Sequence, residues 1–213
     1  MNVVDAHGDP PPRSAIDAAV RALGVGDIVG IPTDTVYGLA ADPFRSGATD
    51  RLFTVKRRPR TVEMPVLVAD EAQALSMAVA VPASARRLMA RYWPGALTLV
   101  LPRRPDLNAD LGQDDATVGV RCPDHPVPLA LCRDVGPLAT TSANRHGEPS
   151  LTTARDVATA FGSAVQLVLD AGTCAGAPST VVDCTGEAPR LLREGRLSWA
   201  EVAAVADAGG GAP

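Results

Sequence analysis

Apolar residues recur along this chain in two rhythms, and the switches between them outline its elements. From residue 14 a helical spacing puts Ile16, Ala19, Val20 and Leu23 on one face, which predicts a helix over 14–23 with Ser14 as its N-cap. A short apolar run then predicts a buried strand over 27–31, ended by Pro32. Ala48, Leu52, Phe53 and Val55 suit the sheet-facing side of a helix over 47–57. Further helices are expected over 83–92, 127–133, 152–161 and 198–205. Strands are expected over 65–69, 96–101, 117–121, 138–141, 165–169, 180–184 and 190–192. Helix and strand do not alternate strictly, and neighbouring strands near 96–121 and 165–193 require antiparallel or mixed pairing. The predicted fold is therefore α/β: a single domain over 14–205, a twisted mixed β-sheet with flanking helices. Residues 1–13, with two aspartates and three consecutive prolines, are expected to be a flexible arm, and 206–213 a flexible tail.

Composition narrows the function classes. A chain of 213 residues is long enough to bury a sizeable core, and with aromatics at 3% that core must be aliphatic. The net charge of −4 disfavours nucleic-acid binding by bulk electrostatics while leaving room for a local basic patch. No apolar run reaches the roughly 18 residues of a membrane span, and the first 13 residues lack a hydrophobic signal segment, so a cytoplasmic location is expected. Cys122, Cys132, Cys174 and Cys184 form no C-x-x-C pair and read as small buried residues rather than metal ligands; no protein metal site is expected.

Polar chemistry concentrates at element ends. A P-loop is absent, so side chains must hold any triphosphate that binds. Lys56, Arg57 and Arg58 end the helix over 47–57, and Pro59 disfavours helix at Arg58; the cations either grip phosphate or decorate a solvated helix end. On the strand 117–121, Thr117, Gly119 and Arg121 share one face, which suits a carboxylate or phosphate, or else marks an edge strand with a surface arginine. Thr140, Thr141, Ser142 and Asn144 form a donor-rich strand end, where ligands of α/β sheets commonly sit, or an ordinary turn. The glycine-rich stretch 172–180 with Arg193 beyond it reads as an anion cradle or as a loop with a surface cation. Ser142 and His146 lack the G-x-S-x-G elbow of a hydrolase.

Taken in order, PTDTVYGLAADP, Lys56-x-Arg58, YWPGALTLVL, TVGVRCP, TTSANRHGEPS, STVVD and LLREG resemble the YrdC/TsaC family of threonylcarbamoyl-AMP synthases over about 14–205. The resemblance implies a sheet wrapped around a concave, cationic cavity. It also implies synthesis of threonylcarbamoyl-AMP and pyrophosphate from L-threonine, bicarbonate or CO₂, and ATP. A tRNA threonylcarbamoyl transferase complex would be the downstream acceptor, and double-stranded RNA or tRNA a further partner. Carried over residue by residue, Thr35, Arg121, Thr140 and Ser179 are expected on L-threonine. Lys56, Arg58, Thr117, Ser142, Asn144, Ser150 and Arg193 are expected around ATP, Lys56 and Arg58 being catalytic and Mg²⁺ entering with the nucleotide. This chain departs from the family at Arg57, where glycine is usual, and in the shifted proline of 59–64. The competing expectation is a non-catalytic RNA-binding or nucleotide-binding module of the same fold; a hydrogenase-maturation carbamoyl module would carry the C-x-x-C pairs missing here.

Overall fold

The computed structural model describes residues 2–145 and 148–208. Ten strands form one sheet: β1 (Asn2–Asp5), β2 (Val29–Ile31), β3 (Gly38–Ala41), β4 (Val66–Leu67), β5 (Leu97–Pro102), β6 (Thr117–Arg121), β7 (Leu138–Ser142), β8 (Leu167–Asp170), β9 (Thr180–Asp183) and β10 (Arg190–Arg193). Among the described residues seven α-helices flank it: α1 (Arg13–Gly24), α2 (Ala48–Lys56), α3 (Glu71–Met77), α4 (Ala83–Tyr92), α5 (Pro126–Val135), α6 (Ala154–Phe161) and α7 (Trp199–Asp207). The strand order is β1-β8-β2-β3-β7-β4-β6-β5-β9-β10. Pairing is mixed, as expected: β1/β8, β2/β8, β4/β6 and β5/β9 are parallel, and β2/β3, β3/β7, β4/β7, β5/β6 and β9/β10 are antiparallel.

Strand parity decides what each face of the sheet touches. In one half, Val29, Ile31, Leu167 and Leu169 pack with α1 and α5. Their alternates, including Leu39, Ala41 and Val168, pack with α2 and α6 on the other face. That half is buried on both sides. In the other half, Leu97, Leu99, Leu101, Val118 and Val120 pack against α3, α4 and α7. Their alternates, Thr98, Val100, Thr117, Gly119 and Arg121, are left facing a cavity. The site is thus the uncovered face of a sheet whose opposite face is well anchored.

Several expectations need correction. The arm is not loose: β1 adds in parallel to the free edge of β8, and Ala6 N–H continues the ladder to Asp170 O at 2.8 Å. Ser14 lies inside α1, whose N-cap is Pro12. Residues 206–207 belong to α7, with Ala206 buried, and the rest of the expected tail from 209 lies outside the described residues. α3 and β3 were not anticipated. At the other end of α7, Ser198 and Glu201 form a full capping box, which explains why that helix starts where it does. Among the described residues, no helix is long and apolar enough to cross a membrane. The four cysteines are free, with Cys122, Cys132 and Cys184 buried and Cys174 half-buried.

Candidate active site

The cavity on the open sheet face has a volume of about 550 Å³. One part of its lining is organised by Arg121. β6 lies between β4 and β5, so Arg121 is not on an edge strand; its side chain is 8% exposed and its guanidinium is tied at three atoms. Nε donates to Gly95 O at 2.9 Å, Nη1 to Thr35 Oγ1 at 2.9 Å, and Nη2 to Asp34 Oδ1 at 2.5 Å. A guanidinium has five N–H groups, so two remain for a ligand. Burial pushes the Arg121 guanidinium below its usual range, with the Asp34 carboxylate acting against that shift. Thr33 Oγ1 gathers Thr35 Oγ1 (2.9 Å), Thr35 N–H and Val36 N–H, holding the 33–36 turn rigid. Thr140, from β7, lines the same region, its hydroxyl donating to Leu138 O at 3.1 Å.

Across from Arg121, Ser179 precedes β9. Arg193 donates to Ser179 O (2.9 Å) and to Ser179 Oγ (3.2 Å), and Thr98 Oγ1 lies 2.9 Å from the same hydroxyl. Gly195 permits this arrangement: a Cβ there would sit 2.3 Å from Pro178 O and 2.6 Å from Ser179 O. Toward the other end, Arg58, Thr117, Ser142 and Ser150 line the cavity, together with Glu63 and Asp114. Arg58 Nε donates to Val62 O (2.9 Å) and Nη2 to Glu63 O (2.6 Å), so the 59–64 segment orients this guanidinium. Burial lowers both Arg58 and Arg193, and the charge of Arg193 lowers Arg58 further. Half-buried guanidiniums close enough to repel one another make a place where an anion is favoured.

Two expected site residues do not line the cavity. Lys56 is 4% exposed, not a solvated helix end, and its ammonium donates to Ser142 O (2.7 Å), Asn144 O (2.5 Å) and Asn144 Oδ1 (2.7 Å). Asn144 completes the knot by accepting from Ser142 Oγ (2.6 Å) and donating to Glu148 O (2.6 Å). Lys56 and Asn144 therefore shape the loop that presents Ser142. Burial, with Arg58 adding to it, pushes the Lys56 ammonium down to about 8. Arg57 is exposed and left-handed, with φ 50°, a conformation that favours the glycine expected there from the resemblance. His146 lies outside the described residues.

Sequence reading missed Asp34 and Thr98, and left Val62 and Glu63 as alternatives for a polar contact in the 59–64 segment; both line the cavity. Thr98 carried a signal, since it is the polar residue at cavity parity in an otherwise aliphatic strand; Asp34 carried none that separates it from surface acids. The Glu63 carboxyl has a buried Oε1 without a hydrogen-bond partner among the described residues. Burial, then the charge of Asp114, raises it from 4.5 to about 7. Between those values the folded chain holds a proton that the unfolded chain releases, so this residue makes stability fall as pH rises from 4.5 to about 7. Glu63→Gln removes that part of the slope; urea unfolding at pH 5 and pH 8 checks it, and an unchanged slope refutes it.

The family model Sua5_yciO_yrdC, described as telomere recombination, matches residues 21–195. A Mycobacterium tuberculosis relative is 43% identical over 199 residues, spanning 92% of each chain. The threonylcarbamoyl-AMP synthase of Bacillus subtilis is 38% identical over 208 residues, covering 96% of this chain and 60% of that protein. The crystal structure of Pyrococcus abyssi Sua5 complexed with L-threonine superposes with a TM-score of 0.88 at 34% identity, over 96% of this chain and 61% of that one. The chain thus spans nearly all of the mycobacterial relative and about three fifths of the Bacillus and Pyrococcus proteins.

Proposed function

This chain belongs to the Sua5/YciO/YrdC family, and from that membership we propose that it makes threonylcarbamoyl-AMP and pyrophosphate from L-threonine, bicarbonate or CO₂, and ATP. The observation that carries the reading is the single cavity that gathers Arg58, Arg121, Ser179 and Arg193 from four separate segments. Its three arginines support two anionic groups at once. The two free N–H groups of Arg121 receive the threonine carboxylate, flanked by Thr35, Thr140 and Ser179. Arg58 and Arg193 receive the polyphosphate, with Thr117, Ser142 and Ser150 nearby. The L-threonine named with the Pyrococcus structure fits that division.

The chemistry needs no enzyme nucleophile. The threonine amine adds to CO₂ and loses a proton, giving an N-carboxylate; its oxygen attacks the α-phosphorus of ATP, and pyrophosphate leaves. What the protein supplies is alignment and cations for the phosphoryl charge. Mg²⁺ enters as part of the nucleotide complex, held mainly by phosphate and water oxygens. The product would pass to a tRNA threonylcarbamoyl transferase, and the reaction would run in the cytoplasm. A non-catalytic RNA-binding role has less in its favour, because the cations line an indented cavity in a chain of net charge −4.

Incubating the protein with ATP, Mg²⁺, L-threonine and labelled bicarbonate tests this directly. Label recovered in threonylcarbamoyl-AMP, with stoichiometric pyrophosphate, is expected. No label in the adenylate, under conditions where the Bacillus enzyme makes it, overturns the reading.

A further inference from the structure

Ser179 carries one O–H and two lone pairs, and its role in recognition depends on which of these reaches the ligand. Arg193 Nη2 can only donate, so the 3.2 Å contact consumes one lone pair of Ser179 Oγ. The 2.9 Å contact with Thr98 Oγ1 admits either direction in isolation. Burial decides it. Thr98 is 4% exposed on an interior strand, and Ser179 Oγ is the sole partner of its hydroxyl among the described residues. Turned any other way, the Thr98 proton meets no protein acceptor among the described residues, whereas turned toward Ser179 it makes a hydrogen bond. Thr98 therefore donates, and the second lone pair of Ser179 is consumed.

We infer that Thr98 is a positioning residue that fixes Ser179 as an obligate hydrogen-bond donor, aimed at an anionic oxygen of the amino-acid substrate. This rests on the functional reading above, which places L-threonine in the cavity. With both lone pairs filled, Ser179 cannot accept from an ammonium or from a hydroxyl proton. It can only donate, and the carboxylate or N-carboxylate oxygens are the strongest acceptors on the substrate, the same ligand chemistry that the unused N–H groups of Arg121 favour. Donor polarity at Ser179 and charge at Arg121 then discriminate together for the acid end of the substrate. The arrangement is built into the sheet, since β5 and β9 are paired in parallel with Thr98 opposite Val181, two residues beyond Ser179.

A double-mutant cycle tests the coupling. L-threonine affinity is read by calorimetry, and the KM for threonine and kcat by pyrophosphate release, in Thr98→Val, Thr98→Ser, Ser179→Ala and the double variant Thr98→Val/Ser179→Ala. Thr98→Val keeps the side-chain shape, so a folding defect is reported independently by ATP affinity and melting temperature. Thr98→Val and Ser179→Ala are each expected to weaken threonine binding roughly 5- to 20-fold with ATP affinity unchanged. Thr98→Ser restores it, and the double variant is no weaker than Ser179→Ala alone. Thr98→Val within twofold of wild type, or a double variant showing the product of the single losses, overturns the inference while leaving the enzyme reading intact. Wild-type protein that binds no L-threonine overturns both. Threonine binding with the expected coupling but without turnover supports the inference and overturns the synthase assignment.

Discussion

Arg121→Lys lowers threonine-dependent pyrophosphate release by about 100-fold or more, most of it as a raised KM for L-threonine with ATP affinity nearly unchanged. The size follows from what the guanidinium does at once. It is anchored by Gly95 O, Thr35 Oγ1 and Asp34 Oδ1, which leaves two of its five N–H groups unused in a residue that lines the cavity. A lysine ammonium has three donors on a single atom, so it cannot satisfy that set and also present a planar two-point face. Asp34, whose side chain is 9% exposed, keeps a cationic neighbour in the variant but loses the directed hydrogen bond from the guanidinium, and a hydrogen bond to a charged group contributes about 1.5–3 kcal/mol. Some of that cost appears as a lower melting temperature, so ATP affinity measured on the same preparation separates unfolding from loss of the threonine site. A threonine KM within about threefold of wild type, with the fold intact, would remove Arg121 from the carboxylate-binding role.

Lys56→Met is expected to act differently, through the loop it holds. The variant keeps an aliphatic stem of similar length but withdraws all three donors from Ser142 O, Asn144 O and Asn144 Oδ1. A hydrogen bond from a charged donor contributes about 1.5–3 kcal/mol, and the loss is moderated because Ser142 O keeps the Asn144 N–H and Asn144 Oδ1 keeps the Ser142 hydroxyl. A net loss of about 3 kcal/mol corresponds to a melting temperature lower by roughly 6–12 °C for a domain of this size. Pyrophosphate release falls with it, because Ser142 is no longer presented to the cavity. Thermal unfolding and ATP titration of the one variant check both halves of the claim. Lost activity with an unchanged melting temperature would instead make Lys56 a direct phosphate ligand, as family resemblance implies.

These two residues also show how far local sequence reaches. At Lys56 the sequence reports a cation ending a helix beside a proline. Whether that cation is solvated or buried depends on Ser142 and Asn144, which are 86 and 88 residues away. At Arg121 the parity of Thr117, Gly119 and Arg121 on one strand face is legible, and the structure puts all three on the cavity. That β6 is interior, and that Asp34 waits 87 residues away, is not. β1 escapes for a related reason: four residues before a proline run have no partner until β8 supplies an edge. β3, Gly-Leu-Ala-Ala, lacks the β-branched residues that mark a strand and is held by β2 and β7 on either side.

By itself, the sequence determined the α/β class, most of the elements and the list of polar residues at their ends, because periodicity, capping and proline placement act within a few residues. The ordered motifs also determined the family. Tertiary structure alone decided which of those polar residues face one another. Strand order and register turned Thr98, Thr117, Gly119 and Arg121 toward a shared cavity, and turned Lys56 and Asn144 toward each other instead. Hydrogen-bond direction and burial are properties of such juxtapositions, so no reading of neighbours along the chain contains them.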